Sequence, residues 1–266
     1  RSSQVKLTTV NLNISDGIAT ILLNRPNVLN AINQRMWEEL TYVFRSVTQN
    51  SEARVAIISG AGRGFCSGAD LNEAAWRGET LSKSRSRIER NNQQLAREMI
   101  ACPIPIIAAV NGYALGGGVE IALAADLRIA GETAKFGFPE AKIGRFISGG
   151  ASLLLPRIIG MSWAKRMIFT GEHITADKAL EIGLVEEIVS LNTLNDRAAQ
   201  LAAMIANNAP VSIELSKKVL NRVSLNELET ALAFETEALI TTYRTDDNER
   251  GVAAFSTGDD ANFSGK

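Results

Sequence analysis

The chain has 266 residues, 45% of them hydrophobic and 21% charged, with a formal net charge of −1. That is a globular composition, large enough for one sizeable core with an appendage, and its balanced charge gives no global attraction for nucleic acid or an anionic membrane. No apolar run approaches the roughly 20 residues that span a bilayer, and no signal peptide is visible. Cys66 and Cys102 have neither metal nor redox spacing, so the expected setting is a reducing one, the cytoplasm or an organelle matrix. A single histidine, His173, excludes a multi-histidine metal cage. It sits in the polar stretch TGEHITADKAL, which suits a solvated role.

Val5 to Ile14 and Ile18 to Asn24 are β-rich runs joined by Asp16-Gly17, a two-residue hairpin signal. Asn30 is the expected cap of a helix whose apolar side is Ile32, Trp37, Leu40, Phe44 and Val47. Val55 to Ser59 reads as a short buried strand that runs into GAGRGFCSGAD, residues 60 to 70. This glycine-rich loop lacks both the Gly-Lys-Ser/Thr ending of a P-loop and the Gly-x-Gly-x-x-Gly spacing. Neither Ser67 nor Ser148 stands in a Gly-x-Ser-x-Gly elbow. The loop is expected to present backbone, with Gly68-Ala69-Asp70 turning toward a second glycine cluster.

Residues 82 to 97, SKSRSRIERNNQQLAR, read as a mostly basic, solvated helix. RNA or a phosphorylated ligand is the sharper alternative for this charge, but no stacking aromatics accompany it.

The central stretch is IIAAVNGYALGGGVEIALAAD, residues 106 to 126. Ile106 to Val110, entered through Pro103 and Pro105, suits a buried strand, and Val119 to Ala125 suits a helix. Gly116, Gly117 and Gly118 lie between them and let backbone approach a ligand closely. The free N–H groups of the helix start would face that gap, and Glu120 stands one turn in. Strand, glycines and acid together suggest an oxyanion site with a titratable group beside it.

Leu127 to Ala130 and Lys135 to Phe138 read as further short strands, and Pro139 holds Glu140 stiffly after the second. Residues 144 to 157, GRFISGGASLLLPR, give a loop and then a helix. Ile174 to Val189 pairs a helix with the strand Leu184 to Val189. From Asn195 onward the pattern is helical, with a capping box of Ser224 and Glu227 and a stripe of Leu225, Leu228, Leu232 and Leu239. The expected division is a mixed α/β body over 1–194 and a helical region over 195–266.

GFCSGADL, AAVNGYALGGGVEIALAADLRIA, FGFPEAKIG and TGEHITADKALEIGLVEEIV resemble, in order, the signature blocks of the crotonase family, the enoyl-CoA hydratases and isomerases. LNRPNVLNAI resembles its first block. The resemblance implies an α/β fold, a spiral of ββα units, with C-terminal helices that build a homotrimer or homohexamer. It implies an acyl-coenzyme A thioester as substrate, with no separate cofactor and no metal. By motif position the oxyanion-hole amides would be those of Ala69 and Gly117, and the catalytic acids Glu120 and Glu140. Substrate contacts would come from Gly68, Asp70, Leu71 and Gly116, and from Tyr113, Leu115 and Ser148. The implied reaction is hydration of an enoyl-CoA. Isomerisation, carnitinyl-CoA-type dehydration, hydrolysis and an RNA-binding relative are the alternatives.

The sequence also departs from that pattern. Where the family commonly has Pro-Gly-x-Gly-Gly, this chain has Ile147-Ser148-Gly149-Gly150-Ala151, preceded by Arg145 and Phe146. Asn72 replaces a basic residue often found after the GAD block. The plainer expectation for Arg145 is a surface arginine beside a loop that drifted; the sharper one is a substrate that is branched, ring-bearing or polar at its distal end.

Overall fold

In the computed structural model the described residues are 6–73, 79–225, 227–261 and 263–264. Two β-sheets are wound together so that, from the third strand to the eighth, successive strands alternate between them. The hairpin pairs β1 (Val10–Ser15) with β2 (Ile18–Leu23) in antiparallel register, Val10 opposite Leu23 and Ser15 opposite Ile18. Asp16 and Gly17 both take positive φ, 51° and 78°, which is what a two-residue hairpin turn demands. The first strand begins at Val10, later than the apolar pattern suggested, and Val5 lies outside the described residues.

Helix α1 (Gln34–Gln49) is capped by Asn33, whose side chain accepts from Met36 N at 2.9 Å, and not by Asn30. Asn30 is fully buried at a φ of 56° and has another task. Its Nδ2 donates to the carbonyls of Ala61, Gly64 and Phe65, so it braces the glycine loop from inside. Asn111 braces the same loop, donating to Gly62 O and accepting from Gly60 N. Buried side-chain amides are here satisfying loop carbonyls that no strand reaches.

The next units repeat one theme. Strands β3 (Val55–Gly60) and β4 (Gly64–Cys66) are followed by helices α2 (Leu81–Ile88) and α3 (Gln94–Ala101). Strands β5 (Ile106–Val110) and β6 (Tyr113–Leu115) are followed by α4 (Gly117–Ala124). Strands β7 (Leu127–Gly131) and β8 (Lys135–Gly137) are followed by α5 (Ala151–Ile159) and α6 (Met161–Thr170). After β9 (His173–Thr175) and α7 (Ala176–Glu181), β10 (Glu187–Val189) closes the body. The larger sheet has the order β1-β2-β3-β5-β7-β10, parallel beyond the first pair. The smaller has the order β4-β6-β8-β9, and its last pair is antiparallel. This is the expected spiral of ββα units. The parallel strands are buried on both faces, which accounts for unbroken runs such as Ile106 to Val110, every residue of which is fully buried.

Four helices complete the chain: α8 (Leu194–Ala206), α9 (Pro210–Ser224), α10 (Leu228–Thr242) and α11 (Asp246–Thr257). The expected capping box does not form. Ser224 is the last residue of α9, while Glu227 precedes α10 and makes no cap bond, turning instead to Arg157. The leucine stripe packs on its own body, Leu228 and Leu232 against Leu153, and Leu239 against Ile88. Among the described residues no helix is long and apolar enough to cross a membrane.

Near the N-terminus Glu39 is 1% exposed and accepts from the N–H groups of Thr8, Thr9 and Val10. Burial alone would raise its pKa, but hydrogen bonds from Thr9, Arg35 and Thr8 outweigh it and hold the carboxyl at about 2, down from 4.5. A depressed carboxylate contributes stability above its unfolded value that is lost as pH falls through the folded one. Glu39→Gln should therefore lower Tm at pH 7, and the gap from wild type should close as pH falls from 4.5 toward 2. A thermal-melt series across that range checks this; a pH-independent gap would assign the effect to packing.

Candidate active site

The site forms where the two glycine clusters touch. Gly116 precedes α4 at φ 50° and ψ −119°, a conformation closed to residues with side chains. A Cβ there would also lie 2.2 Å from Glu140 Oε1, so the glycine admits the carboxylate. Across the gap Gly68 has φ 89°, and a Cβ on it would lie 2.7 Å from Leu115 O and 3.3 Å from Gly117 N. The two loops meet backbone to backbone.

Two donors result. Gly117 opens α4, so its N–H has no partner within the helix. Ala69 bridges Ile32, with Ile32 N donating to Gly68 O and Asp70 N donating to Ile32 O. That pairing leaves the Ala69 N–H on the side away from Ile32. Among the described residues neither N–H donates to an acceptor. Arg128 steadies the other end of α4 by donating to Ala122 O and Ala125 O.

Glu120, in the first turn of α4, is 5% exposed, and its Oε1 accepts from Ser148 N at 2.9 Å and Gly149 N at 2.6 Å. Burial, then the nearby carboxyls of Glu235 and Glu140, push its pKa up to about 8 despite those two bonds. Glu140 stands in a short 3-10 turn, Pro139–Ile143. The residue is half-buried, but its Oε2 is sealed from solvent and has no hydrogen-bond partner. Burial raises this carboxyl to about 7, partly offset by its own backbone N–H and by Arg145. Two acids that change charge near neutrality thus share one site.

They line a cavity of about 390 Å³ together with Ala69 and Gly117. Gly68, Asp70, Leu71, Leu115, Gly116 and Ser148 also line it. Tyr113 does not. Its ring lies 5.7 Å from Lys135 Nζ and edge-on to His173, at the start of β6, two residues before Leu115. Asp70 is held by Arg25 at 2.9 Å. His173 is exposed at the lining, its pKa lowered by burial and by Lys142 and Lys135.

Sequence reading missed three contributors. Asn92 belongs to the segment read as a solvated helix, but a π-helical turn at Glu89–Gln93 swings it onto the cavity, where Nδ2 donates to Ser148 Oγ at 2.6 Å. Of the neighbouring arginines, exposed Arg85 pairs with Glu237, while Arg87 and Arg97, both half-buried, pair with Glu79 and Glu229. The second contribution comes from the last helices, which bring Leu239, Tyr243 and Phe255 to the wall. Arg145, only 8% exposed, joins them: its Nε donates to Asn248 Oδ1 and its guanidinium lies 5.4 Å from the Tyr243 ring centroid. The third is Glu235, a buried acid next to Glu120. No local motif marks Asn92, Glu235 or the residues of the last helices, which arrive from distant parts of the chain, whereas Arg145 stands beside the stretch where the sequence departs from the family pattern.

Paired backbone N–H groups beside titratable carboxyls define a site suited to stabilising a developing oxyanion while moving a proton. The chain matches the family model described as enoyl-CoA hydratase/isomerase over residues 13–266. It is 39% identical over 252 residues to the short-chain-enoyl-CoA hydratase of Clostridium acetobutylicum, covering 94% of this chain and 95% of that protein. Identity to the 1,2-epoxyphenylacetyl-CoA isomerase of Escherichia coli is 34% over 255 residues, or 95% of this chain and 97% of that one. A crystal structure of an enoyl-CoA hydratase from Mycobacterium avium subsp. paratuberculosis superposes with a TM-score of 0.89 at 29% identity, over 97% of this chain and all of the other. This chain belongs to the enoyl-CoA hydratase/isomerase, or crotonase, family and is an enzyme of acyl-CoA thioesters.

The close approach at Gly68 gives a direct test. Gly68→Ala would set a methyl 2.7 Å from Leu115 O at a φ of 89°, forcing Ala69 away from Gly117. Turnover should fall about 10²-fold or more, the scale of one lost oxyanion donor, with the melting curve still cooperative. Near-wild-type turnover would remove Ala69 from the site.

Proposed function

We propose that this enzyme hydrates a trans-2-enoyl-CoA thioester to a 3-hydroxyacyl-CoA. The reading rests above all on two buried carboxyls with values near neutrality, Glu120 at about 8 and Glu140 at about 7, in one cavity with two unengaged N–H groups. The thioester oxygen would accept from Ala69 N and Gly117 N. Water bound between the carboxyls adds its oxygen to C3, and charge moves through C2 to the thioester oxygen. The two N–H groups stabilise that enolate by roughly 3–4 kcal/mol each.

Proton balance follows from the pair. Glu120, oriented by Ser148 N and Gly149 N, takes the proton that the attacking water loses. Glu140, the acid with the unpartnered Oε2, delivers a proton to C2. The next bound water passes a proton from Glu120 back to Glu140. The pair titrates as a unit, and burial raises both carboxyls toward neutrality, so one of them can hold a proton while the other accepts one.

Double-bond isomerisation is the second reading, since the family description covers isomerases as well as hydratases. It needs only one carboxyl, which leaves the second raised acid without work. Turnover on crotonyl-CoA and longer, branched and aryl enoyl-CoA thioesters, with products identified by mass, separates the two because only hydration adds 18 Da, about one water. Glu120→Gln and Glu140→Gln should each lower kcat by at least about 10²-fold in a folded protein. If either variant hydrated the best substrate at close to the wild-type rate, the shared-water mechanism would be wrong.

We also propose a trimer or hexamer. The leucine stripe does not supply its surface, being covered within the chain. Helix α9 does expose Val211, Leu215, Val219 and Leu220, each more than half exposed. Light scattering should report three or six copies; a stable, active monomer at micromolar concentration would overturn this.

A further inference from the structure

Glu235 lies in the middle of α10, forty residues beyond the point where the mixed pattern ends. It is 1% exposed. Its Oε2 accepts from Gly150 N at 2.7 Å and its Oε1 from Ser152 N at 2.8 Å. These are the first N–H groups of α5, whose N-cap, Gly150, has no side chain to serve them. Glu235 therefore caps α5 from another helix.

The same loop serves Glu120. Ser148 N and Gly149 N turn to Glu120, and Gly150 N and Ser152 N turn to Glu235. Gly150 makes the reversal possible, with a φ of 91° between the two sets of donors. Gly149 keeps the loop tight, since a Cβ on it would lie 2.7 Å from Glu120 Oε2. One five-residue span thus carries two buried carboxyls on opposite sides.

Resting on the hydratase reading above, we propose that Glu235 is a positioning residue for the acid pair: it pins the loop whose N–H groups hold Glu120, and it sets a third buried carboxyl against that pair. The Glu235 carboxyl opposes ionisation of Glu120, in addition to burial, and Glu235 is itself raised by burial against the bonds from Ser152 and Gly150. Among the described residues no cation is a named cause of the shift at Glu120 or Glu235. Glu140 is the other carboxyl acting on Glu120, and Arg145 acts on Glu140. Around α4, Arg97 and Glu98 on α3 pair with Glu229 and Arg45, and Arg157 on α5 pairs with Glu227. The Cys66 thiol on β4 is pushed up to about 12 by burial and stays neutral. On α2, which packs on α10, Arg85 pairs with Glu237, Arg87 with Glu79, and Lys83 is exposed. A residue that merely capped α5 would affect stability alone.

The test follows glutamate carboxyls directly by NMR in protein labelled with 13C at the side-chain carboxyl, alongside hydration kinetics. The resonance that titrates high in wild type and disappears in Glu120→Gln is that of Glu120. Glu235→Gln keeps one acceptor and removes the charge; it should lower the Glu120 midpoint by about one pH unit and move the matching limb of the kcat/KM profile the same way. Glu235→Asp keeps the charge on a shorter arm; the midpoint should stay, while kcat falls about 10-fold at little-changed KM as the loop shifts. An unmoved midpoint in folded Glu235→Gln overturns the proposal. If that variant does not fold, Glu235→Asp decides, and wild-type kcat there overturns it. Wild-type protein that titrates as described yet hydrates no enoyl-CoA sinks the functional reading alone.

Discussion

Backbone N–H groups that end on buried carboxylates are the constraint around which this active-site architecture is built. Four of them, from Ser148 to Ser152, terminate on Glu120 and Glu235. Two more, at Ala69 and Gly117, end on nothing within the described residues. A buried donor without an acceptor is costly, on the order of 1–3 kcal/mol. The protein keeps two such donors at the cavity lining, where a thioester oxygen can complete them, and satisfies the rest of the loop. Satisfying the outer groups holds the loops beside that inner pair in place, as the proposed stabilisation of an enolate requires.

Comparison of Glu39 with Glu120 shows how much depends on hydrogen-bond count. Both side chains are almost wholly buried, at 1% and 5% exposure. Glu39 accepts from three N–H groups, two hydroxyls and Arg35, and stays ionised far below the usual carboxylate range. Glu120 accepts from two N–H groups while two other carboxyls face it, and moves the opposite way, to about 8. Burial is common to both. The neighbours decide the sign, and with it whether a glutamate fastens the fold or titrates in a working range.

The C-terminal helices are part of this site. A Cβ on Gly251 of α11 would lie 2.6 Å from Ile143 C, and one on Gly144 would lie 2.6 Å from Asn248 N. The helix thus packs backbone to backbone against the turn that carries Glu140. Helix α10 adds Glu235, Leu239 and Tyr243, and Gln93 fastens it through Leu232 O and Thr236 Oγ1. Body and tail are separate in their pattern of residues, but the cavity has walls from both.

The sequence by itself determined the hairpin at Asp16-Gly17, the buried strand Ile106 to Val110 and the two glycine clusters. These are local: strand periodicity, positive φ and the need for close backbone approach all leave their mark within a few residues. The ββα order rested on the family resemblance, because β4 and β6 are three-residue strands with no run of their own. Glu120 and Glu140 were legible because each stands in a motif whose neighbours, Gly116 to Gly118 and Pro139, shape its backbone. Asn30 was misread as a cap because a buried bracing amide and a helix-capping amide look alike until their partners are known. The capping box at Ser224 failed for the same reason, two suitable residues falling on opposite sides of a helix break. Asn92 and Glu235 carry no local mark at all. Their roles arise because a π turn and a distant helix bring an amide and a carboxyl to the loop at 147–152, and only the packing of those elements could place them there.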